Sequence, residues 1–127
     1  MNKQDLNLND VAYFDRTAVS SILQENIDSS FEKELIQIFV SRSSELIQSA
    51  KDSIETGDIK SIESCFHNIG GSAYHIGARR IEKICNYFED QDSIPILDIN
   101  RLILELETEL KRFINSTRKV YRSRGKG

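Results

Sequence analysis

The chain has 127 residues, of which 17 are basic, 20 are acidic and 39% are hydrophobic. This length predicts one domain with a core of modest size. Because five basic residues follow residue 117, residues 1–117 carry 12 positive and 20 negative charges, and this net charge of −8 argues against binding to nucleic-acid phosphates. No apolar run approaches the roughly 20 residues of a membrane span and no signal-peptide core is present, so we expect a soluble cytoplasmic protein without membrane insertion.

The apolar residues recur at intervals of three and four, which predicts an all-α fold. Residues 1–14 form an N-terminal segment, and Asp15 is a candidate N-cap of a short helix. A long helix is predicted from Ser29 or Ser30 to about Glu55. Its expected apolar face comprises Phe31, Leu35, Ile38, Phe39, Leu46, Ala50 and Ile54.

Asp58 is a suitable N-cap for the next helix, and Gly77 ends or kinks it. Its apolar stripe steps by three and four through Ile59, Ile62, Phe66, Ile69, Ala73 and Ile76. Two further helices are predicted at about 78–90 and 98–117, separated by a linker that contains Pro95. We therefore predict an antiparallel four-helix bundle with a short extra N-terminal helix, spanning residues 15–117. Residues 118–127 are expected to form a solvated basic C-terminal tail, with attraction to a membrane surface as the weaker alternative.

His67 is the candidate functional residue. It follows the core position Phe66, which turns it about 100° away from the apolar stripe and towards solvent. A lone histidine is more often structural or simply solvated. Here, however, Gly70 and Gly71 follow one turn later, although each helical glycine costs about 1 kcal/mol relative to alanine. We expect both glycines to clear side chains away and leave the imidazole accessible to a partner.

The segment His67-Asn68-Ile69-Gly70-Gly71-Ser72, with Gly77-Ala78 after it, resembles the motif of histidine phosphotransfer (HPt) domains, the phosphoryl carriers of two-component phosphorelays. The resemblance covers roughly residues 15–115. It implies an HPt-like bundle in which His67 takes a phosphoryl group from one response-regulator aspartate and gives it to another, as a stoichiometric carrier rather than an enzyme. It implies response-regulator receiver domains and a hybrid sensor histidine kinase as partners, no cofactor of its own, Mg²⁺ on the regulator, and a monomer.

The motif differs from the family pattern at one position, because Gly70 stands where the family has a lysine. Arg42 is a candidate substitute, since it falls within the expected apolar sector of the long helix, level with the two glycines. The alternative is that its stem packs along the bundle while its guanidinium binds a glutamate. Lys60 is the second candidate. Ser72 either supports the phosphoryl group or bonds to helix carbonyls.

A docking surface is expected around His67. Candidate contacts are Ser64, Asn68 and Tyr74, together with Ile22 and Leu23 of the short first helix, for which ordinary packing or solvation is the alternative. The sequence predicts no metal site, because His75 lies eight residues, or about 12 Å, further along the helix. Cys65 and Cys85 are expected to be buried thiols. The rival functions are an HPt-fold adaptor that binds receiver domains without phosphotransfer, a domain cut from a hybrid kinase, and an unrelated helical bundle.

Overall fold

The computed structural model describes residues 6–23 and 29–126, with side chains for residues 6–19 and 30–121. Within these ranges the chain forms five helices and no strand, which confirms the all-α prediction. The helices are α1 (Arg16–Leu23), α2 (Ser29–Thr56), α3 (Ile59–Ile76), α4 (Arg79–Glu89) and α5 (Ile96–Lys126). None of them combines the length and the apolar character that a helix needs to cross a membrane.

The four longer helices pack as a ring. Helix α2 packs against α3 and α5, helix α4 also packs against α3 and α5, and the short α1 lies on α3. The predicted four-helix bundle with a short extra N-terminal helix is therefore confirmed. Aromatic rings fill the centre, where Phe39 meets Phe113 edge-on with centroids 5.4 Å apart and Phe66 stacks on Phe88 at 4.0 Å.

Helix α3 begins and ends at the predicted residues. The Asp58 carboxylate accepts a 3.2 Å hydrogen bond from the Ser61 backbone N–H and so caps the N-terminus. Gly77 ends the helix in the left-handed conformation with φ +82°, and its N–H donates to the Ala73 carbonyl. The Gly77 carbonyl also accepts a 2.7 Å hydrogen bond from the Asp15 N–H, so closely that a Cβ at Gly77 would overlap the Asp15 backbone. Only glycine meets both the dihedral and the space requirement at this turn.

The buried face of α2 differs from the predicted one. Ile38 is 60% exposed and Phe31 is also exposed, so their assignment to the apolar face is wrong. The buried stripe instead contains Ile36, Phe39, Ile47 and Ala50 together with the polar residues Glu32 and Ser43. Apolar periodicity misses this face because two of its positions are polar and several apolar residues lie outside it.

Helix α5 extends beyond its predicted end at residue 117 and continues to Lys126, so residues 118–126 lie in a helix. Tyr121 within this extension is buried, and its hydroxyl donates a 2.7 Å hydrogen bond to Glu32 Oε1. Arg16 of α1 donates to the same oxygen. The Tyr121 side chain thus packs the extension against α2, through a contact between residues far apart in the chain.

Candidate functional site

His67 faces solvent on α3, as predicted. Its side chain is 76% exposed, whereas the preceding residue, Phe66, is fully buried. The adjacent stacking of Phe66 on Phe88 anchors this turn of α3 to α4. The helix therefore presents the imidazole on a rigid, well-packed backbone.

The imidazole is oriented by a carboxylate of the neighbouring helix. Nδ1 of His67 lies 2.8 Å from Oε2 of Glu89, which is the last residue of α4. Because carboxylate oxygens accept hydrogen bonds, this contact places a proton on Nδ1. In the neutral ring the lone pair is then on Nε2, the nitrogen that such a contact leaves available for chemistry.

Glu89 is not among the site residues that the sequence pattern predicts. A signal for the contact was nevertheless present, since His67 and Glu89 lie at similar distances before and after the turn at Gly77. Helices that are antiparallel about a short turn bring such residues level with each other. Which of the level residues touch depends on how far apart the helices pack, and the sequence pattern does not supply that distance.

The two glycines have different environments. Gly71 is exposed, and a Cβ there would meet nothing within 4 Å, in agreement with the predicted open surface beside His67. Gly70 is buried, and a Cβ there would lie 2.9 Å from the Cβ of Cys85. The expectation that Gly70 clears the surface around His67 is therefore wrong, because this position faces α4 rather than solvent.

The other predicted α3 residues are at the surface. Lys60, Ser64, Asn68, Ser72 and Tyr74 are all exposed. By helical periodicity, Lys60, Ser64 and Tyr74 share the face of His67, whereas Ser72 is turned well away from it. Within the described part of the chain, the polar contact of the His67 ring is the one with Glu89, and no hydrogen bond or ion pair joins the ring to these five residues.

Arg42 lies on the solvent side of α2 with its side chain 61% exposed, so its predicted place in the apolar sector is wrong. Its guanidinium is 3.6 Å from the Glu45 carboxylate, as the alternative interpretation expected. Ser43, the next residue, occupies the buried position instead. Among the described contacts, Arg42 pairs with Glu45 and the His67 ring pairs with Glu89. None of them joins Arg42 to the imidazole.

Two further predictions concern the docking role of Ile22 and Leu23 and the absence of a metal site at His75. The side chains of Ile22 and Leu23 lie outside the described residues, so their predicted docking role stays a prediction. His75 contacts Tyr74 edge-on with ring centroids 5.1 Å apart. Among the described residues, no group of three or more histidine, cysteine, aspartate or glutamate side chains is placed to hold a metal ion.

Both cysteines are free and buried, as predicted. Burial raises the pKa of the Cys85 thiol, and the nearby carboxylates of Glu89 and Glu82 add to this effect. Cys85 is therefore a neutral packing residue of the α3–α4 interface.

Comparison with known proteins points to the same family that the His67 motif resembles. The family model for the Hpt domain matches residues 34–116, a range that contains His67 and both glycines. The chain is 31% identical over 71 residues to "Histidine-containing phosphotransfer protein 5" of Arabidopsis thaliana, which is 54% of this chain and 45% of that protein. The chain thus spans less than half the length of this curated relative. No solved structure matches the chain. Since the family model covers well over half of the sequence and the helical bundle agrees with it, the chain belongs to the Hpt domain family.

Proposed function

We propose that this protein is a phosphoryl carrier of a two-component phosphorelay and that His67 is its phosphorylated residue. Membership of the Hpt family supports a phosphotransfer role in two-component signalling. The observation that carries the assignment to His67 is its geometry, since the ring is exposed while Glu89 holds Nδ1 at 2.8 Å.

In the proposed reaction, the Nε2 lone pair of His67 attacks the phosphorus of an aspartyl phosphate on a receiver domain. The N–P bond forms, the P–O bond to the aspartate breaks, and the bonding electrons leave with the aspartate oxygen. The proton on Nδ1 stays in place and continues to bond to Glu89, which stabilises the positive charge that the ring acquires. Attack by an aspartate oxygen of a second receiver domain reverses these steps and restores the free imidazole.

The chain contributes positioning rather than a complete catalytic apparatus. Phosphoryl transfer depends mainly on alignment and on stabilisation of charge on the phosphoryl oxygens. In this proposal the receiver domain brings the aspartate and the Mg²⁺, and the Hpt chain supplies a nucleophile on a rigid helix. The protein is then a stoichiometric carrier with no nucleotide site, and its partners are receiver domains and a hybrid sensor histidine kinase.

The docking surface is proposed to be the exposed face of α3 around His67. Ser64, Asn68, Gly71 and Tyr74 present small or polar groups there, and the Tyr74 side chain is among the most exposed aromatic groups of the described chain. A receiver domain that covers this face could bring its aspartate close to Nε2. We propose that the protein acts as a monomer in the cytoplasm.

The test is transfer from purified receiver domains that have been phosphorylated with radiolabelled acetyl phosphate. The wild-type chain and a His75→Gln control should acquire an acid-labile, base-stable label, whereas His67→Gln should acquire none. A second candidate function, a receiver-binding adaptor, is favoured by one observation, namely that the motif lysine is replaced by a buried glycine. Binding to receivers without transfer of label to the wild type would support the adaptor and contradict the carrier.

A further inference from the structure

We propose that Gly70 is a positioning residue for His67: its missing side chain lets α4 approach α3 closely enough for Glu89 to hold the imidazole by Nδ1. The chemical consequence rests on the proposed function of His67, but the geometric claim does not. Gly70 is also the position at which this chain departs from the family motif.

The close approach is visible at one contact. Gly70 and Cys85 are both buried, and a Cβ on Gly70 would lie 2.9 Å from the Cβ of Cys85. Carbon atoms that are not bonded prefer a separation of about 3.5–4.0 Å, so an alanine at this position would push the helices apart by about 1 Å. Cys85 has no room to withdraw, because its side chain is fully buried in the core.

This contact is one helical turn from the functional pair. His67 lies three residues before Gly70 on α3, and Glu89 lies four residues after Cys85 on α4. Residues three or four apart lie on the same face of a helix, so both pairs belong to the same strip of the α3–α4 interface. The separation of the helices at Gly70 therefore helps to set the distance between the imidazole and the carboxylate.

The hydrogen bond is sensitive to a change of this size. Nδ1 and Oε2 are 2.8 Å apart, and N–H···O hydrogen bonds span about 2.7–3.2 Å between the heavy atoms. An increase of about 1 Å would break it. Without an acceptor at Nδ1, the neutral ring is free to carry its proton on Nε2, which removes the lone pair that the phosphoryl group requires.

Gly71 provides the contrast. It is the other glycine of the pair, but a Cβ there would meet nothing within 4 Å. Alanine at Gly71 adds the same methyl group to the same helix and gains the same helix propensity without touching α4. Any effect specific to Gly70→Ala therefore comes from the α3–α4 separation.

The experiment measures the imidazole nitrogen chemical shifts of His67 in the full chain, which report the position of the ring proton. Wild type and Gly71→Ala should carry the proton on Nδ1, and Gly70→Ala should shift it towards Nε2. The compensating variant Gly70→Ala/Cys85→Gly, which moves the missing Cβ to the other helix, should restore the wild-type shifts. In parallel, the rate of phosphotransfer should fall by about tenfold or more in Gly70→Ala and recover in the double variant.

An unchanged His67 proton position in a folded Gly70→Ala variant would overturn the proposal, as would a double variant that folds without restoring the wild-type shifts. If Gly70→Ala does not fold, Cys85→Val crowds the same contact from the other helix and should produce the same change. Failure of the proposed carrier function can be distinguished from failure of the positioning role, because the nitrogen shifts are measured without any partner protein. If the variants show the predicted nitrogen shifts but the wild-type chain accepts no phosphoryl group, the proposed function is contradicted. The positioning role of Gly70 then still holds.

Discussion

The Tyr121 hydroxyl donates a 2.7 Å hydrogen bond to Oε1 of Glu32, a residue 89 positions earlier in the chain. The same oxygen accepts hydrogen bonds from Nε and Nη2 of Arg16 at 3.0 and 2.8 Å. Glu32 is buried, and a buried carboxylate is tolerated when it is paired and hydrogen-bonded. These contacts join α1, α2 and the C-terminal part of α5 at one carboxylate.

Removing the Tyr121 hydroxyl should destabilise the fold. Tyr121→Phe takes one donor from a buried carboxylate, and we expect the free energy of unfolding to fall by about 1–3 kcal/mol. Urea denaturation followed by circular dichroism measures the change. Tyr74→Phe is the matched control, since Tyr74 is exposed, and should stay within about 0.5 kcal/mol of wild type. Equal stability of the two variants would show that the Tyr121–Glu32 bond contributes nothing.

The raised pKa of Tyr121 predicts that the stability of the fold decreases at alkaline pH. Burial, together with the hydrogen bond to Glu32, raises the pKa of Tyr121 from 10.0 to about 12 in the folded chain. Above pH 10 the unfolded chain releases this proton while the folded chain retains it, so stability falls as the pH rises. The Tyr121 contribution should thus be complete below pH 10 and lost by about pH 12. Denaturation of wild type and Tyr121→Phe across this range should show their stabilities converging, and a constant difference would contradict the assignment.

Glu89 should affect phosphotransfer without affecting the fold. Glu89→Ala removes the acceptor for Nδ1 of His67, and loss of such an orienting partner typically costs about tenfold to a hundredfold in activity. The rate of label transfer from a phosphorylated receiver domain measures the effect. Asp90→Ala removes the same charge one residue later at an exposed position and should transfer at the wild-type rate. Similar losses in both variants would indicate a general effect of charge rather than orientation of the ring.

Arg42 should be dispensable for transfer. Its guanidinium is exposed and pairs with Glu45 on α2, whereas the His67 ring pairs with Glu89 of α4. We expect Arg42→Ala to transfer within about twofold of wild type, because an exposed pair of this kind contributes little to structure or to the site. Lys60→Ala is the informative comparison, since Lys60 shares the His67 face of α3. A severe loss in Arg42→Ala with an intact fold would revive its predicted role as the substitute for the motif lysine.

Local sequence signals were sufficient for α3 and for the orientation of His67. The capping carboxylate of Asp58, the apolar stripe and the terminal Gly77 are all encoded within one helix, so periodicity located them correctly. Such signals failed where a contact joins distant residues. The extension of α5 depends on Tyr121 meeting Glu32, and the role of Gly70 depends on Cys85 of the next helix. Ile38 was misplaced because the true buried face of α2 includes the polar Ser43.

The most direct test of the central claim identifies the atom that carries the phosphoryl group. The wild-type chain, phosphorylated by a receiver domain, is examined by phosphorus and nitrogen NMR and by mapping of the labelled peptide. We predict a single phosphohistidine at His67 with the phosphorus bonded to Nε2 and the proton retained on Nδ1. Phosphorylation on Nδ1, or at His75, would contradict the account, because Glu89 could not then be holding the ring of the reacting histidine by Nδ1.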